Sequence, residues 1–260
     1  MSSYQHSSFQ IHQLPALNDN YIYLMESKID SVLAVIDPAD ASIVNQACKR
    51  LGKPLTHILN THHHWDHTDG NKALKQRWNC TVVGAAHDAA RIPCIDIAIS
   101  PEQAFQLGGL QADIIDVGGH TLGHIAYLFD DALFCGDALF GAGCGRIFEG
   151  TFEQTWQSLQ ALAQLDDDTK VYCAHEYTLP NLRFARGVDA NNAALKARIH
   201  RDTQTRMEQK PTIPSTIGIE KSTNPFLRPL NADFRTEYAH INHIDDTALS
   251  VFTHLRQTKG

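Results

Sequence analysis

The stretch that decides the fold is Thr61-His62-His63-His64-Trp65-Asp66-His67-Thr68-Asp69-Gly70. It places four histidines and two carboxylates within ten positions, a density typical of metal binding. On an α-helix His62 and His64 would point about 200° apart, so they can grip one ion only from an extended or turning segment. Asp66 and His67 project differently and suit a second ion. Residues 55–60 predict a buried strand just before this cluster, which distinguishes it from a merely histidine-rich surface loop.

Composition predicts a soluble globular protein, since 43% of the 260 residues are hydrophobic and 20% are charged. The first twenty residues contain no apolar run flanked by basic residues, which predicts no signal peptide. No segment approaches the roughly 18 apolar residues of a membrane helix. The six cysteines are scattered without a Cys-x-x-Cys pair, which favours reduced, buried thiols. We therefore expect a cytoplasmic protein, monomeric and without a membrane partner.

Charge is divided unevenly along the chain. Residues 1–174 contain 10 Lys and Arg against 20 Asp and Glu, and residues 175–260 contain 12 against 9. The acidic first part argues against nucleic acid as a partner, because phosphate contacts need clustered basic charge. The mildly basic second part suits a small anionic substrate, although ordinary solvated helix faces would give the same balance.

The pattern of secondary structure changes near residue 174. Before it, short strands alternate with helices, and after it strand signals nearly disappear. The predicted strands are Phe9–Leu14, Tyr21–Glu26, Ser31–Asp37, Leu55–Asn60, Thr81–Gly84, Ala112–Val117, Ile125–Phe129, Ala132–Cys135 and Lys170–Cys173. The predicted helices are Asp40–Leu51, Thr68–Trp78, Phe152–Leu165, Leu179–Val188, Ala190–Gln209 and Thr247–Gln257. We expect two domains, 1–174 and 175–260, the second of them helical.

Three further candidate ligands follow predicted strands in the same way as the first cluster. His120, Asp137 and His175 each come after a strand and a small residue, which lets the backbones approach closely. Open α/β sheets tend to place their sites at such an edge. The candidate ligands are then His62, His64, Asp66, His67, His120, Asp137 and His175. Seven ligands are more than one tetrahedral ion needs, and the absence of cysteine among them favours a catalytic pair of ions. Asp137, with two carboxylate oxygens, is suited to bridge the two ions.

Several motifs carry a resemblance to a known family. They are Asn18-Asp19-Asn20-Tyr21, Thr61–His67, Gly119-His120-Thr121-Leu122-Gly123-His124, Cys135-Gly136-Asp137, Gly143-Cys144-Gly145-Arg146, Ala174-His175-Glu176-Tyr177-Thr178 and Asn224-Pro225-Phe226-Leu227-Arg228. Together they resemble the metallo-β-lactamase superfamily and, within it, the glyoxalase II (hydroxyacylglutathione hydrolase) family. The metal motif alone indicates only the superfamily, whereas the last three stretches indicate the family.

The resemblance implies an α+β fold, a four-layer αββα sandwich followed by a helical domain that helps to bind glutathione. It implies one ion on His62, His64 and His120, another on Asp66, His67 and His175, and Asp137 bridging them. Substrate contacts are implied for Arg146, Phe148, Tyr177, Arg256 and Lys259. Phe148 stands where other members have tyrosine, which implies the loss of one hydrogen bond.

The chemistry of these residues is consistent with thioester hydrolysis. Two divalent ions lower the pKa of a shared water from about 15.7 towards about 7 and stabilise an oxyanion. A thiol leaving group, with a pKa of about 8.5, departs as thiolate with little need of an acid. Asp66 is expected to orient the nucleophile. We expect zinc, with iron or manganese as alternatives, because imidazole and carboxylate ligands suit all three.

The expected activity is hydrolysis of S-(2-hydroxyacyl)glutathione, chiefly S-D-lactoylglutathione, to D-lactate and glutathione. The nearest alternative is a glutathione-persulfide dioxygenase of the same superfamily, which uses a single iron and consumes oxygen. A nuclease is disfavoured by the acidic metal domain, and a β-lactamase by the helical domain. A non-catalytic metal-binding module would bind metal without thioesterase activity.

Overall fold

The computed structural model describes residues 1–101 and 103–260, and its packing separates two units. Unit 1 comprises Met1–Asp116 and Leu122–Gly136, and unit 2 comprises Val117–Thr121 and Asp137–Gly260. The expected domains 1–174 and 175–260 stay a prediction. Within the described residues, none of the helices combines the length and hydrophobicity needed to cross a bilayer.

Unit 1 begins with a sheet of seven strands, hydrogen-bonded in chain order. They are β1 (Ser2–Gln5), β2 (Phe9–Ala16), β3 (Asn20–Ser27), β4 (Leu33–Ile36), β5 (His57–Leu59), β6 (Thr81–Ala85) and β7 (Ile97–Ile99). Strands β1 to β4 pair antiparallel, whereas β4 to β7 pair parallel. The parallel pairing brings the C-terminal ends of β4 and β5 to one edge, so Asp37 and Thr61 lie side by side there.

Helices connect the parallel strands of unit 1. They are α1 (Ala41–Leu51), α2 (Trp65–Thr68) and α3 (Asn71–Trp78), followed by a 3₁₀ turn over Ala86–Asp88. Helix α1 begins where the Asp40 carboxylate accepts a bond from the Ser42 amide at 2.7 Å, and it ends at Gly52 with φ +66°. Its buried face packs Val44 and Ala47 into the aliphatic core over the sheet.

The remaining strands of unit 1 form an antiparallel meander. They are β8 (Ala104–Leu107), β9 (Leu110–Asp116), β10 (Ile125–Phe129) and β11 (Ala132–Gly136). Along β9 the buried side chains of Leu110, Ala112 and Ile114 alternate with exposed ones, as expected for a strand with one buried face.

Unit 2 is mainly helical. Its short strands are β12 (Leu139–Phe140) and β13 (Gly143–Cys144), which form a hairpin, and β14 (Lys170–Cys173) and β15 (Ser215–Thr216), which pair antiparallel. Its helices are α4 (Phe152–Ala163), α5 (Thr178–Val188), α6 (Ala193–Met207), α7 (Ile217–Thr223), α8 (Ala232–Asn242) and α9 (Ala248–Lys259), with a 3₁₀ turn over Arg228–Leu230. Helices α5 and α6 bury Leu182, Ala185 and Leu195 together.

The structure differs from the predicted elements in several places, and strands β1, β7, β8 and β15 and helices α2 and α7 were not predicted. The predicted helix from Thr68 to Trp78 begins at Asn71, because the Gly70 amide donates to Pro38 O at 2.8 Å and not to the preceding turn. The hairpin β12–β13 was not predicted, since two-residue strands carry no periodicity. Helix α8 was not predicted either, although Asn231 caps it through the Phe234 amide at 2.9 Å.

Candidate active site

The histidine loop of unit 1, residues 61–67, brings its four predicted ligands together. His62 and His64 precede α2 in a non-helical segment, and His62 Nε2 lies 3.0 Å from His64 Nδ1. Asp66 and His67 lie on α2, with 3.6 Å between Asp66 Oδ2 and His67 Nε2. The rings of His62 and His67 are 4.1 Å apart. The extended or turning conformation predicted for His62 and His64 is therefore observed.

Asp37 fixes the conformation of this loop through hydrogen bonds. The sequence analysis did not identify Asp37. It is buried and follows β4, where it accepts bonds from the Thr61 amide (2.8 Å) and hydroxyl (2.7 Å). His67 Nδ1 lies 3.0 Å from the same carboxylate, and His62 Nδ1 lies 3.0 Å from the Thr61 hydroxyl. Fixing Nδ1 in this way orients Nε2 as the ligand atom. The available signal was a carboxylate directly after a buried strand.

Two asparagines position the backbone and the carboxylate of the same loop. Asn20, in a motif that carried the family resemblance, donates to Asp66 Oδ2 at 3.1 Å. Asn60 is fully buried and donates to His67 O at 2.9 Å. Asp66 is consequently held in one orientation while its carboxylate stays partly exposed.

His63 and His124 pack beside the ligand residues. His63 Nδ1 lies 2.8 Å from Asp88, a fully buried carboxylate that also contacts His87 and Arg91. Burial acts to raise the pKa of Asp88, but its hydrogen bonds to His87, Arg91 and His63 together lower it. The His124 ring stacks on His62 at 4.5 Å. Both histidines therefore stabilise the loop from its flanks.

Unit 2 brings together the three later candidates. The two oxygens of Asp137 face different imidazoles, with Oδ2 3.4 Å from His120 Nε2 and Oδ1 3.3 Å from His175 Nε2. His120 Nδ1 lies 2.7 Å from Arg146 O. This contact orients the ring so that Nε2 is the nitrogen suited to bind a metal. Gly119 precedes His120 at φ +144°, and a Cβ there would lie 2.3 Å from Thr155 Oγ1. The predicted need for a small residue before this ligand is thus met.

All five predicted substrate residues line one cavity of about 380 Å³ in unit 2, together with His120 and Asp137. The five are Arg146, Phe148, Tyr177, Arg256 and Lys259. Tyr177 stacks on His175 at 4.7 Å, and the Phe148 ring, 64% exposed, lies 5.1 Å from His120. The cavity therefore joins metal-ligand candidates to a wall of three cations.

The cations of this cavity differ in their surroundings. Arg146 is exposed, whereas Arg256 is buried and donates to Cys144 O at 3.2 Å and Gly260 O at 3.0 Å. Lys259 donates to Asn181 Oδ1. Burial is the main cause that lowers the pKa of Lys259 to about 8, and repulsion from Arg256 and Arg146 adds to it. Burial also raises the pKa of the Cys144 thiol.

The donor sets of both units fit divalent metal ions. Each consists of imidazole nitrogens and carboxylate oxygens, with ligand atoms of His62 and His64, and of Asp66 and His67, within 4.8 Å of each other. The Nδ1 atoms of His62, His67 and His120 are fixed by hydrogen-bonding oxygens, as ligating histidines usually are. This chemistry suits zinc, iron and manganese.

Known proteins resemble the chain over most of its length. The family model for the metallo-beta-lactamase superfamily matches residues 18–93 and 102–175, and the model "Hydroxyacylglutathione hydrolase C-terminus" matches residues 176–260. The hydroxyacylglutathione hydrolase of Methylococcus capsulatus is 47% identical over 252 residues, which cover 96% of this chain and 97% of that protein. The enzyme of the same name from Rhodospirillum rubrum is 47% identical over 234 residues, covering 89% and 91%.

Solved structures share the fold. ETHE1 from Myxococcus xanthus superimposes with a TM-score of 0.67 at 25% identity, covering 96% of this chain and 99% of that one. The B3 metallo-β-lactamase BLEG-1 gives 0.65 at 20% identity over 84% and 99%. These matches confirm the predicted metallo-β-lactamase fold with its C-terminal helical region. The chain thus belongs to the hydroxyacylglutathione hydrolase family of the metallo-β-lactamase superfamily.

Proposed function

We propose that this chain hydrolyses S-(2-hydroxyacyl)glutathione, chiefly S-D-lactoylglutathione, to a 2-hydroxy acid and glutathione. Its relatives in several bacteria carry the name hydroxyacylglutathione hydrolase and are 44% to 49% identical to it. The observation that carries the proposal is the cavity of unit 2, where Arg146, Arg256 and Lys259 face the same space as His120 and Asp137. A thioester whose thiol bears carboxylates matches that combination.

In this proposal the seven candidate ligands hold two metal ions. His62, His64 and His120 would hold one ion, Asp66, His67 and His175 would hold the other, and Asp137 would bind both. The opposed oxygens of Asp137, each facing a different imidazole, support its bridging role. When bound, two such ions supply a hydroxide near neutral pH and stabilise negative charge on the carbonyl oxygen.

The chain's own residues would then orient the reactants. Asp66, held by Asn20, accepts a hydrogen bond from the nucleophile and directs its lone pair at the thioester carbon. Arg146, Arg256 and Lys259 bind the carboxylates of glutathione, and Tyr177 and Phe148 border the thiol side of the cavity. No residue needs to protonate the leaving group, because a thiol with a pKa of about 8.5 departs as thiolate.

Zinc is the metal that we propose for this site, since imidazole and carboxylate ligands in a catalytic site suit it. Metal analysis of protein purified without added metal tests that choice against iron and manganese. A cytoplasmic location is supported by the cysteines, which form no disulfide in residues 1–101 and 103–260.

The proposed function is tested with two thioesters of the same acyl group. Metal-loaded protein is assayed on S-D-lactoylglutathione and on S-D-lactoyl-N-acetylcysteamine, whose thiol lacks carboxylates. We expect rapid turnover of the first, abolished by a chelator, and a kcat/KM at least about a hundredfold lower for the second, from two lost charge-assisted contacts. No turnover of either thioester would contradict the proposal, and oxygen consumption with glutathione persulfide would then be measured.

A further inference from the structure

A cluster of aromatic rings lies behind the cations of the unit 2 cavity. Phe184 on α5 and Phe226 after α7 stack at 5.9 Å and 14°. Phe252 on α9 meets Phe226 edge to face at 6.1 Å and also contacts Trp156 of α4 at 5.4 Å. Phe226 and Phe252 are fully buried. Three helices and a connecting segment thus converge on these rings.

The face of Phe226 is shared by two cations. The guanidinium carbon of Arg256 lies 4.9 Å from its ring centroid, and Nζ of Lys259 lies 5.5 Å from it. Lys259 is also 5.6 Å from the Phe184 ring. Arg256 and Lys259 are three residues apart on α9, so they lie on the same side of the helix. Two like charges are thereby packed against one ring.

The side chains in polar contact with these two cations are not carboxylates. Arg256 donates to the carbonyl and thiol of Cys144 and to an oxygen of Gly260, the last residue of the sequence. Lys259 donates to the Asn181 amide oxygen. Among the described residues, neither forms a salt bridge with an Asp or Glu side chain. The buried Arg198 of the same unit contrasts with them, because it is paired with Glu220 at 2.6 Å and Asp202 at 3.2 Å.

We propose that Phe226 is a positioning residue, which holds Arg256 and Lys259 side by side without neutralising them and so keeps their charge available for a carboxylate of the glutathione thioester. A protein carboxylate in its place would compete with the substrate, whereas a ring quadrupole attracts cations and carries no charge. This inference rests on the proposed function. The lowered pKa of Lys259 agrees with a cation that is desolvated beside another cation.

The decisive variants are Phe226→Leu and Phe252→Leu. Each removes one fully buried ring from the same cluster, and of these two rings it is Phe226 that contacts Arg256 and Lys259. We expect Phe226→Leu to raise KM for S-D-lactoylglutathione about tenfold with kcat within about twofold, and Phe252→Leu to leave KM unchanged. Melting temperatures of both variants report the packing loss separately.

A binding experiment separates charge positioning from a general distortion of the cavity. Calorimetry with metal-loaded protein measures the affinity of glutathione and of its diethyl ester, which lacks free carboxylates. Phe226→Leu should weaken glutathione about tenfold and leave the ester unchanged. Equal weakening of both ligands, or equal KM changes in the two Leu variants, would overturn the role of Phe226.

A substitute variant and a separate outcome for the proposed function complete the test. Should Phe226→Leu not fold, Phe184→Leu replaces it, because that partly exposed ring faces Lys259 alone, and we expect a roughly threefold rise in KM. An unchanged KM in that variant would count against the aromatic support. If the unmodified protein binds glutathione but hydrolyses no thioester, the proposed function fails while the calorimetric comparison still judges Phe226.

Discussion

The histidine loop of unit 1 and the cation cavity of unit 2 hold their side chains in opposite ways. In the loop, buried carboxylates contact imidazoles directly, Asp37 with His67 and Asp88 with His63. In the cavity, Arg256 and Lys259 contact the Phe226 ring, and their side-chain polar partners are the Cys144 thiol and the Asn181 amide rather than Asp or Glu. Metal ligands need fixed direction and added basicity, which carboxylates provide. An anion site needs residual positive charge, which carboxylates would remove.

The largest effect is expected from breaking the bridge at Asp137. Replacing Asp137 with Ala removes both oxygens that face His120 and His175. Several kcal/mol of transition-state stabilisation depend on the ions, so kcat should fall by at least about a thousandfold, and bound metal should fall with it. Elemental analysis and the thioester assay measure the two losses. Asp113→Ala, at an exposed position on β9, serves as control. A fully active Asp137→Ala protein would refute the bridging role.

Asp37→Ala tests whether carboxylate support matters for metal affinity. The change frees the Nδ1 side of His67 and the Thr61 hydroxyl, and loss of such support typically costs about 10- to 100-fold in metal affinity. Competition with a chromophoric chelator measures it. The matched control is Asp88→Ala, which removes a buried carboxylate from His63, a residue outside the proposed ligand set. Similar metal affinity in both variants would mean that Asp37 supports the fold only.

Removing a cation from the cavity should affect binding more than chemistry. Arg256→Ala and Lys259→Ala are each expected to raise KM about tenfold or more, while kcat changes less than about threefold, because each removes a charge-assisted contact to the substrate. Steady-state kinetics at two salt concentrations measures this, with Lys210→Ala, an exposed lysine paired with Glu208, as control. A fall in kcat at constant KM would place these cations in the chemical step.

A smaller effect is expected from pH. With a pKa of about 8, Lys259 is charged below that pH and loses its charge above it. KM for the anionic substrate should therefore rise severalfold between about pH 8 and pH 9.5. Lys259→Arg keeps its charge across this range and should flatten the rise. Identical KM profiles for the two proteins would show that another group causes the dependence.

The sequence could single out candidate metal ligands because their pattern is local, and their ligand role stays a prediction. Strand, small residue and ligand recur at His120, Asp137 and His175, and β-strand ends are readable from apolar runs. The αββα fold followed from the family resemblance. Each predicted substrate residue lines the unit 2 cavity, although their roles stay proposals.

Asp37 and Phe226 escaped prediction for a physical reason. A carboxylate after a strand is usually interpreted as part of a turn. Only the parallel pairing of β4 with β5 brings Asp37 next to Thr61. A phenylalanine in a sequence is usually interpreted as a residue of the hydrophobic core. Only the packing of α9 places Arg256 and Lys259 against the Phe226 ring. The contacts of both residues depend on which elements become neighbours, and local periodicity carries no such information.

The most direct test of the account is a metal titration of the apoprotein, with bound metal per chain and S-D-lactoylglutathione turnover measured on the same samples. We predict that turnover reaches its maximum at two ions per chain and disappears when a chelator removes them. Full turnover at one ion per chain, or turnover that survives complete removal of metal, would contradict the account.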